Sequence, residues 1–522
     1  MKALTDVHGG LESLTGEPFR GELLSVEGLE ALARDLAARF TLARSTRRGI
    51  RRFLSRLEEN THLLRETYRT LAGDIHRSEP LAPAAEWLLD NFHLIEDQIA
   101  DIARNLPRKY YLELPKLASP RLDGMARVYA MALELIRHSD GRLDVQRLTR
   151  FVSSYQTVAP LTIGELWAWP TMLKVALIEN LRRLSEDLLE SRAARLDANA
   201  HFARLEAAPA DRASVELPVR LPPAYVVQFL ERLREYGPRA AHLRVALEER
   251  LASLGQSSED AIRAEHQKQA TDQVSFGNSV TSLRLCATLD WSRFFEQVSL
   301  VEQVLQRDPA GIYGKMDFAS RDRYRQAVEE LAEPTGEAQV RVALHCVERA
   351  RQSAQPPANR RALHVGYHLI GGGRRALEAD VDFRPRPLQR IRRFIFMHAT
   401  SFYLGSIAAL TAAGVGVAMA MVPGRRGDAL VAALTVIPAS ELAIALVQWL
   451  VVSLAPPRRL PRLDLRGGVP EEGRTIVIIP TLLASVDGVR SLLSHLEVQA
   501  LGNVDPRIHF AIVSDFTDAP AE

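Results

Sequence analysis

The chain has 522 residues, long enough for two or three domains. Its 66 Lys and Arg almost balance 64 Asp and Glu, which excludes a nucleic-acid binder held by bulk positive charge. Two cysteines, Cys286 and Cys346, exclude a disulfide framework or a cysteine zinc site and fit a reducing compartment.

From the amino terminus, Met1 to Asp6 has no basic region followed by an apolar run, so no signal peptide is expected. Residues 1–390 read as one all-helical cytoplasmic region. Leu88, Phe92, Ile95, Ile99 and Ile102 recur at spacings of three and four, which predicts a helix with one apolar face. Pro80 and Pro83 stand at its start, where proline is tolerated. Pro107 ends the pattern, and residues 106–115 read as a non-helical connector bounded by prolines. Thr162-Ile163-Gly164-Glu165 has the spacing of a capping box. Behind it Leu166, Trp169, Leu173, Leu177, Leu181, Leu184 and Leu188 keep helical spacing, with Asn180, Arg182, Arg183, Glu186 and Asp187 mostly off that stripe. Prolines and small residues between Ala207 and Pro223 predict a break. Helical patterns resume from Tyr225 to Leu254 and from about Glu259 to Leu305. No fixed-period repeat supports a solenoid.

Four segments of this region invite chemistry. Asp308 to Phe318, followed by Ser320 to Arg325, is dense in polar and aromatic residues; it reads as a pocket lining or, more plainly, as a turn capping the next helix. His364 and His368 stand four apart, as helical metal ligands do, with no acidic third ligand at an obvious spacing. Gly371-Gly372-Gly373-Arg374-Arg375 suits an anion-binding nest but lacks a preceding strand, so a flexible linker is the plainer reading. Asp380-Val381-Asp382 has the D-x-D form of a metal site, without a sheet before it, and reads as a solvated linker pair.

A transmembrane hairpin is expected at 394–455. Residues 394–422 contain no Asp, Glu, Lys or Arg, and 429–455 is apolar apart from Glu441 and Gln448. Each run exceeds the ~20 helical residues that cross a bilayer core. Arg384, Arg386, Arg390, Arg392 and Arg393 precede the pair, and Arg458, Arg459, Arg462 and Arg466 follow it, against Arg425 and Arg426 in the turn. The positive-inside rule then places both termini in the cytoplasm and the turn outside, with anionic lipid headgroups as partners of the flanking arginines. Glu441 is expected to face other helices or water, and Pro438 to loosen the helix before it.

At residues 470–522 an α/β pattern begins. Arg474 to Thr481 is a β-branched run stopped by Pro480, residues 485–495 read as a helix, and Ile508 to Asp515 is a second strand: a βαβ unit. Ligands of open α/β sheets bind beyond the carboxyl ends of the strands, which here carry Pro480, Thr481, Ser514 and Asp515, with Asp518 close by. An aspartate at a strand tip serves a ribose or base, or N-caps the next helix; the spacing leaves both open. The sequence stops shortly after the second strand, so an incomplete domain, or one completed by another chain, is expected.

Several segments together resemble the amino-terminal part of the cyclic β-1,2-glucan synthases. They are Ala85 to Glu96, Leu106 to Tyr111, Leu161 to Ala168, Met316 to Phe318 with Arg321 and Asp322, Pro457 to Asp464, Ile479 to Leu483 and Ser514 to Ala519. The resemblance implies a mainly α chain: a large helical region, a two-helix hairpin in the bacterial inner membrane, and the start of a GT-A-like nucleotide-sugar domain. It implies UDP-glucose as donor, Mg2+ or Mn2+ as cofactor, and Pro480, Thr481 and Asp515 as contacts of the uridine. The metal acids, catalytic base and cyclisation region of such enzymes would lie downstream, so this polypeptide is expected not to transfer glucose alone, its partner being the remainder of the synthase. A non-catalytic membrane-anchored scaffold is the rival reading; a helical sensor is weaker, because no transmitter domain follows.

Overall fold

The computed structural model describes residues 21–43, 47–77, 79–118, 124–207, 217–237, 241–354, 360–421, 428–454, 459–516 and 518. The chain divides into two compact units, residues 1–303 and 304–522.

The first unit is built on the 45-residue helix Ile163–Ala207. The capping box forms as the sequence requires: the Thr162 amide donates to the Glu165 carboxylate at 2.9 Å and the Glu165 amide to the Thr162 hydroxyl at 3.1 Å. All seven residues of the predicted stripe, Leu166 to Leu188, are buried. Each such side chain contributes about 1.5–3 kcal/mol of hydrophobic stabilisation. The helices Arg47–His76, Arg127–Ser139, Pro223–Tyr236 and Ser258–Thr288 pack against this axis.

Two carboxylates on the axis are fully buried, and both are paired. Glu165 receives Arg127 Nε at 2.7 Å, and Glu179 receives Arg56 Nε at 2.9 Å and Asn60 Nδ2 at 2.6 Å. A buried charge survives only with such partners. Burial pushes the Glu179 carboxyl up, but Arg56, Arg183 and Asn60 outweigh it and hold it below the ordinary carboxylate range.

Three helix boundaries differ from expectation. Residues 83–105 form two helices, Pro83–Asp90 and Phe92–Asn105, because Asn91 leaves helical geometry and its side chain donates to the Trp87 carbonyl at 3.0 Å. Leu88, Ile95 and Ile102 are buried regardless. The connector at 106–115 contains the helix Arg108–Glu113, with Pro107 just before its first residue, where a proline costs nothing. Tyr111 from it is buried and stacks on Phe53 at 4.4 Å. The Tyr225–Leu254 run is split after Tyr236 by Gly237, whose φ of 69° favours glycine.

In the second unit, helices Phe318–Thr335 and Gln339–Gln352 pack together and lead through short helices to Pro387–Met397. Two apolar helices follow, Ala399–Met421 and Asp428–Leu454. Both are long and apolar enough to cross a membrane by length and composition, and little of either is buried. They pack on each other, and among the described residues Ala443 and Val447 are the buried positions of the second. A Cβ on Gly414 would lie 3.2 Å from the Ala439 Cβ, so the helices approach closely where both residues are small. The run from Phe394 is not one helix: the backbone breaks at His398, with φ −111° and ψ 33°. Hydropathy is blind to a break whose two sides are both apolar. The turn at 422–427, with Arg425 and Arg426, and Arg458 lie outside the described residues.

Both flanks of the apolar pair return to the same helical body. Beyond it, Asp464 N donates to the Lys315 carbonyl at 2.8 Å, Asp317 N to the Arg462 carbonyl at 3.0 Å and Arg462 N to the Ser320 hydroxyl at 2.8 Å. Met316 and Leu463 form an isolated antiparallel bridge. Two segments that carry the family resemblance, 316–322 and the described part of 457–464, therefore meet through Arg462, Leu463 and Asp464.

Candidate site at the strand tips

Five consecutive β-branched residues, Thr475 to Ile479, extend the backbone into the strand Thr475–Leu483. Ser485 then caps the helix Val486–Gly502, its hydroxyl accepting from the Gly488 amide at 3.2 Å. The strand Ile508–Phe516 returns parallel to the first, from Thr475 opposite Ile508 to Leu483 opposite Phe516.

The entrances of both strands are tied together. The Asp505 carboxylate accepts from the Val469 amide at 2.7 Å and the Arg507 amide at 2.8 Å, and Thr475 N donates to the Arg507 carbonyl at 2.9 Å. These backbone bonds hold the Asp505 carboxyl below its ordinary range. The base is pinned and the carboxyl ends are open.

At those ends Pro480 stands opposite Val513, Thr481 opposite Ser514 and Leu482 opposite Asp515. Pro480, Ser514 and Asp515 are exposed and Thr481 is half-buried. The register sets Asp515 on the same sheet face as Leu482 and Pro480, and Thr481 on the other face with Ser514. Pro480 does not stop the first strand, which runs three residues further. Among the described residues that strand pairs on one side only, and proline is tolerated on an open edge because it forfeits no ladder bond there. The Asp515 carboxylate accepts from the Phe516 amide at 2.8 Å and keeps its other oxygen for a hydroxyl or amide donor. Asp518 is exposed, two residues past the strand.

Glu441 and Gln448 are exposed. Seven residues apart, they share one face of their helix, away from the Ala443–Val447 seam with the partner helix.

The remaining candidates of the second unit are held by local structure. Asp308 has a fully buried side chain that accepts from the amides of Ile312 and Tyr313 at 3.1 Å each, from Val365 N at 2.9 Å, and meets His364 Nδ1 at 2.9 Å. Asp317 caps the helix Phe318–Thr335 by accepting from Ser320 N at 2.9 Å, so this polar segment is a structured turn. His364 is not on a helix face with His368: it precedes the short helix Val365–Leu369 in extended backbone, while His368 Nε2 lies 2.8 Å from the Ala362 carbonyl. Gly371–Gly373 is an ordered turn rather than a linker, with Gly373 N donating to the Tyr367 carbonyl at 3.1 Å. A Cβ on Gly371 would lie 2.8 Å from that carbonyl oxygen. Asp380 is forked by Arg349, so it is an ion-pair member and not a solvated linker charge. Among the described residues no three His, Cys, Asp or Glu side chains gather to hold a metal.

No family model matches the chain. The cyclic beta-(1,2)-glucan synthase NdvB of Rhizobium meliloti (strain 1021) is 31% identical to it over 521 residues, which is 97% of this chain and 18% of that protein. The chain thus spans less than a fifth of the curated relative, and the resemblance carried by the seven quoted segments extends along nearly its whole length.

Proposed function

We propose that this chain, a relative of the cyclic β-1,2-glucan synthases along nearly its full length, is a membrane-anchored part of a glucosyltransferase that takes glucose from UDP-glucose. The helices Ala399–Met421 and Asp428–Leu454 would form its hairpin in the inner membrane. The arginines on both flanks, Arg384 to Arg393 and Arg459 to Arg466, support a cytoplasmic position for the helical body and the strand pair. The donor nucleotide is cytoplasmic, so that side is also the chemically required one.

The observation that supports the reading is the parallel register, which gathers Pro480, Thr481, Ser514 and Asp515 at the carboxyl ends of adjacent strands, with Asp515 on the face of Leu482 and Thr481 on that of Ser514. In this role Asp515 accepts hydrogen bonds from the uridine, and Thr481 offers a hydroxyl at the neighbouring strand tip. Pro480 keeps the edge rigid and free of a competing donor. Alone, the chain would bind the donor without turning it over: transfer also needs a base for the acceptor and charge stabilisation of the departing diphosphate, which this reading places in the remainder of the synthase. The strand pair exposes Ile476, Ile478, Leu482 and Phe516, which supports a larger domain whose other elements cover it.

Titration of the purified chain with UDP-glucose tests this. Wild type is expected to bind and Asp515→Ala to bind at least about tenfold more weakly, the loss of one charge-assisted hydrogen bond. Equal binding by both, or none by a folded wild type, favours the scaffold reading, in which the helical body serves only to bind partners.

A further inference from the structure

Within the unit 304–522, a cavity of about 890 Å3 opens beside the helix Pro387–Met397. Arg323, Arg374, Arg375, Arg392 and Arg393 line it, with only Glu330 and Glu378 as carboxylates. Arg323 donates to the Arg459 carbonyl, and two more of the arginines are committed to carboxylates. Arg374 bonds Glu330 at 2.9 Å and Glu378 at 3.1 Å, and Arg393 holds Glu378 through two bonds of 2.8 and 2.6 Å. Arg375 and Arg392 have no carboxylate partner among the described residues. Arg375 meets the Met397 sulfur at 3.0 Å, and Arg392 lies 5.5 Å from the Phe396 ring centre. Two guanidinium forks thus face a roomy cavity with their charge unanswered, a geometry suited to phosphate oxygens.

The cavity also has an apolar lip. Ile370, Phe396 and Met397 line it, and Phe396 and Met397 are 43% and 58% exposed. The helix that carries them passes through the break at His398 directly into Ala399–Met421, the first apolar helix. Charge is therefore followed by exposed apolar surface at the point where the polar body gives way to the hairpin. A free phosphate would use the arginines alone; a phospholipid would use both parts.

We propose that this cavity binds the phosphate headgroup of an anionic phospholipid, with Arg375 and Arg392 as its ligands and Phe396 and Met397 against the start of the acyl chains. The site rests on the membrane placement proposed above. It would fix the depth and rotation of the helical body at the leaflet through a single bound lipid, beyond the diffuse attraction of basic flanks.

The test uses the full chain in detergent, titrated with short-chain phosphatidylglycerol, short-chain phosphatidylcholine and inorganic phosphate. Wild type is expected to prefer phosphatidylglycerol, and Arg375→Gln/Arg392→Gln to bind it roughly thirty-fold more weakly, the effect of two membrane-facing cations. Arg375→Lys/Arg392→Lys, which keeps charge but loses the fork, should fall between them and stands in if the glutamine variant does not fold. Equal phosphatidylglycerol binding by wild type and both variants overturns the site. Inorganic phosphate bound as tightly as phosphatidylglycerol, with the same arginine dependence, overturns the lipid assignment. Alkaline extraction of membranes reports the hairpin separately. A chain retained in the pellet without arginine-dependent lipid binding refutes the cavity alone; a chain released to the supernatant refutes the hairpin and the lipid site with it.

Discussion

The long helix Ile163–Ala207 and the strand pair 475–516 use their apolar residues in opposite ways. The helix hides its stripe, and the two carboxylates buried with it have arginine partners. The strands lie in regular parallel register, yet no residue of either strand or of the helix between them is buried. Local sequence is enough to shape a βαβ unit, but a two-stranded parallel sheet has no inside. The difference separates a region whose stability is its own from one whose backbone is set locally while its faces await cover.

The largest test of that contrast lies on the helix. Arg127→Met leaves Glu165 buried and without its guanidinium, while the capping box still holds one of its oxygens. A destabilisation of about 3–5 kcal/mol is expected, read as a lower denaturant midpoint of the 1–303 unit. A cost below about 1 kcal/mol would mean that water reaches Glu165 and that the axis is less closed than its burial indicates.

A smaller effect is expected at Asp308. Burial pushes its carboxyl up, but His364 and the backbone amides of Val365 and Tyr313 outweigh that and hold it below the ordinary range. A carboxyl depressed in the folded state contributes stability above its unfolded pKa of about 4, and that contribution is lost as pH falls through the folded value. Asp308→Asn should therefore cost about 2 kcal/mol at pH 7, and the gap from wild type should close as pH falls from 5 towards 2. A gap that stays constant with pH would show that the amides recognise shape and not charge.

The two regions were also unequally legible in the sequence. The stripe from Leu166 to Leu188 and the Thr162–Glu165 cap follow from spacing alone, because helical period and capping are local properties. The partners of Glu165 and Glu179 lie 38 and 123 residues away, so no window could reveal them. Asn91 broke a helix that its apolar neighbours predicted, since hydropathy does not register a side chain competing for the backbone. The strands and their crossover were readable from β-branched runs, but the continuation through Pro480 was not, because edge position is a tertiary fact. Arg375 and Arg392 were visible in separate motifs, a glycine turn and a membrane flank; only the fold sets them around one cavity.

The smallest expected effects fall on the strand tips, and they bear most directly on function. Asp515 and Ile478 are both exposed, and among the described residues Asp515 accepts the amide of the next residue. Asp515→Ala and Ile478→Thr should each change stability by no more than about 0.5 kcal/mol. For Ile478 a larger loss would mean that the strand face is covered in solution, by another copy or another protein, because an isoleucine already in water has little transfer energy to lose. For Asp515 the null result on stability is what makes the binding experiment interpretable. A variant that melts with wild type but no longer takes UDP-glucose has lost a ligand contact and nothing else. An Asp515→Ala chain that melts early would place that carboxylate among the supports of the fold, as Glu165 is, and the strand tips would cease to be a separate kind of region.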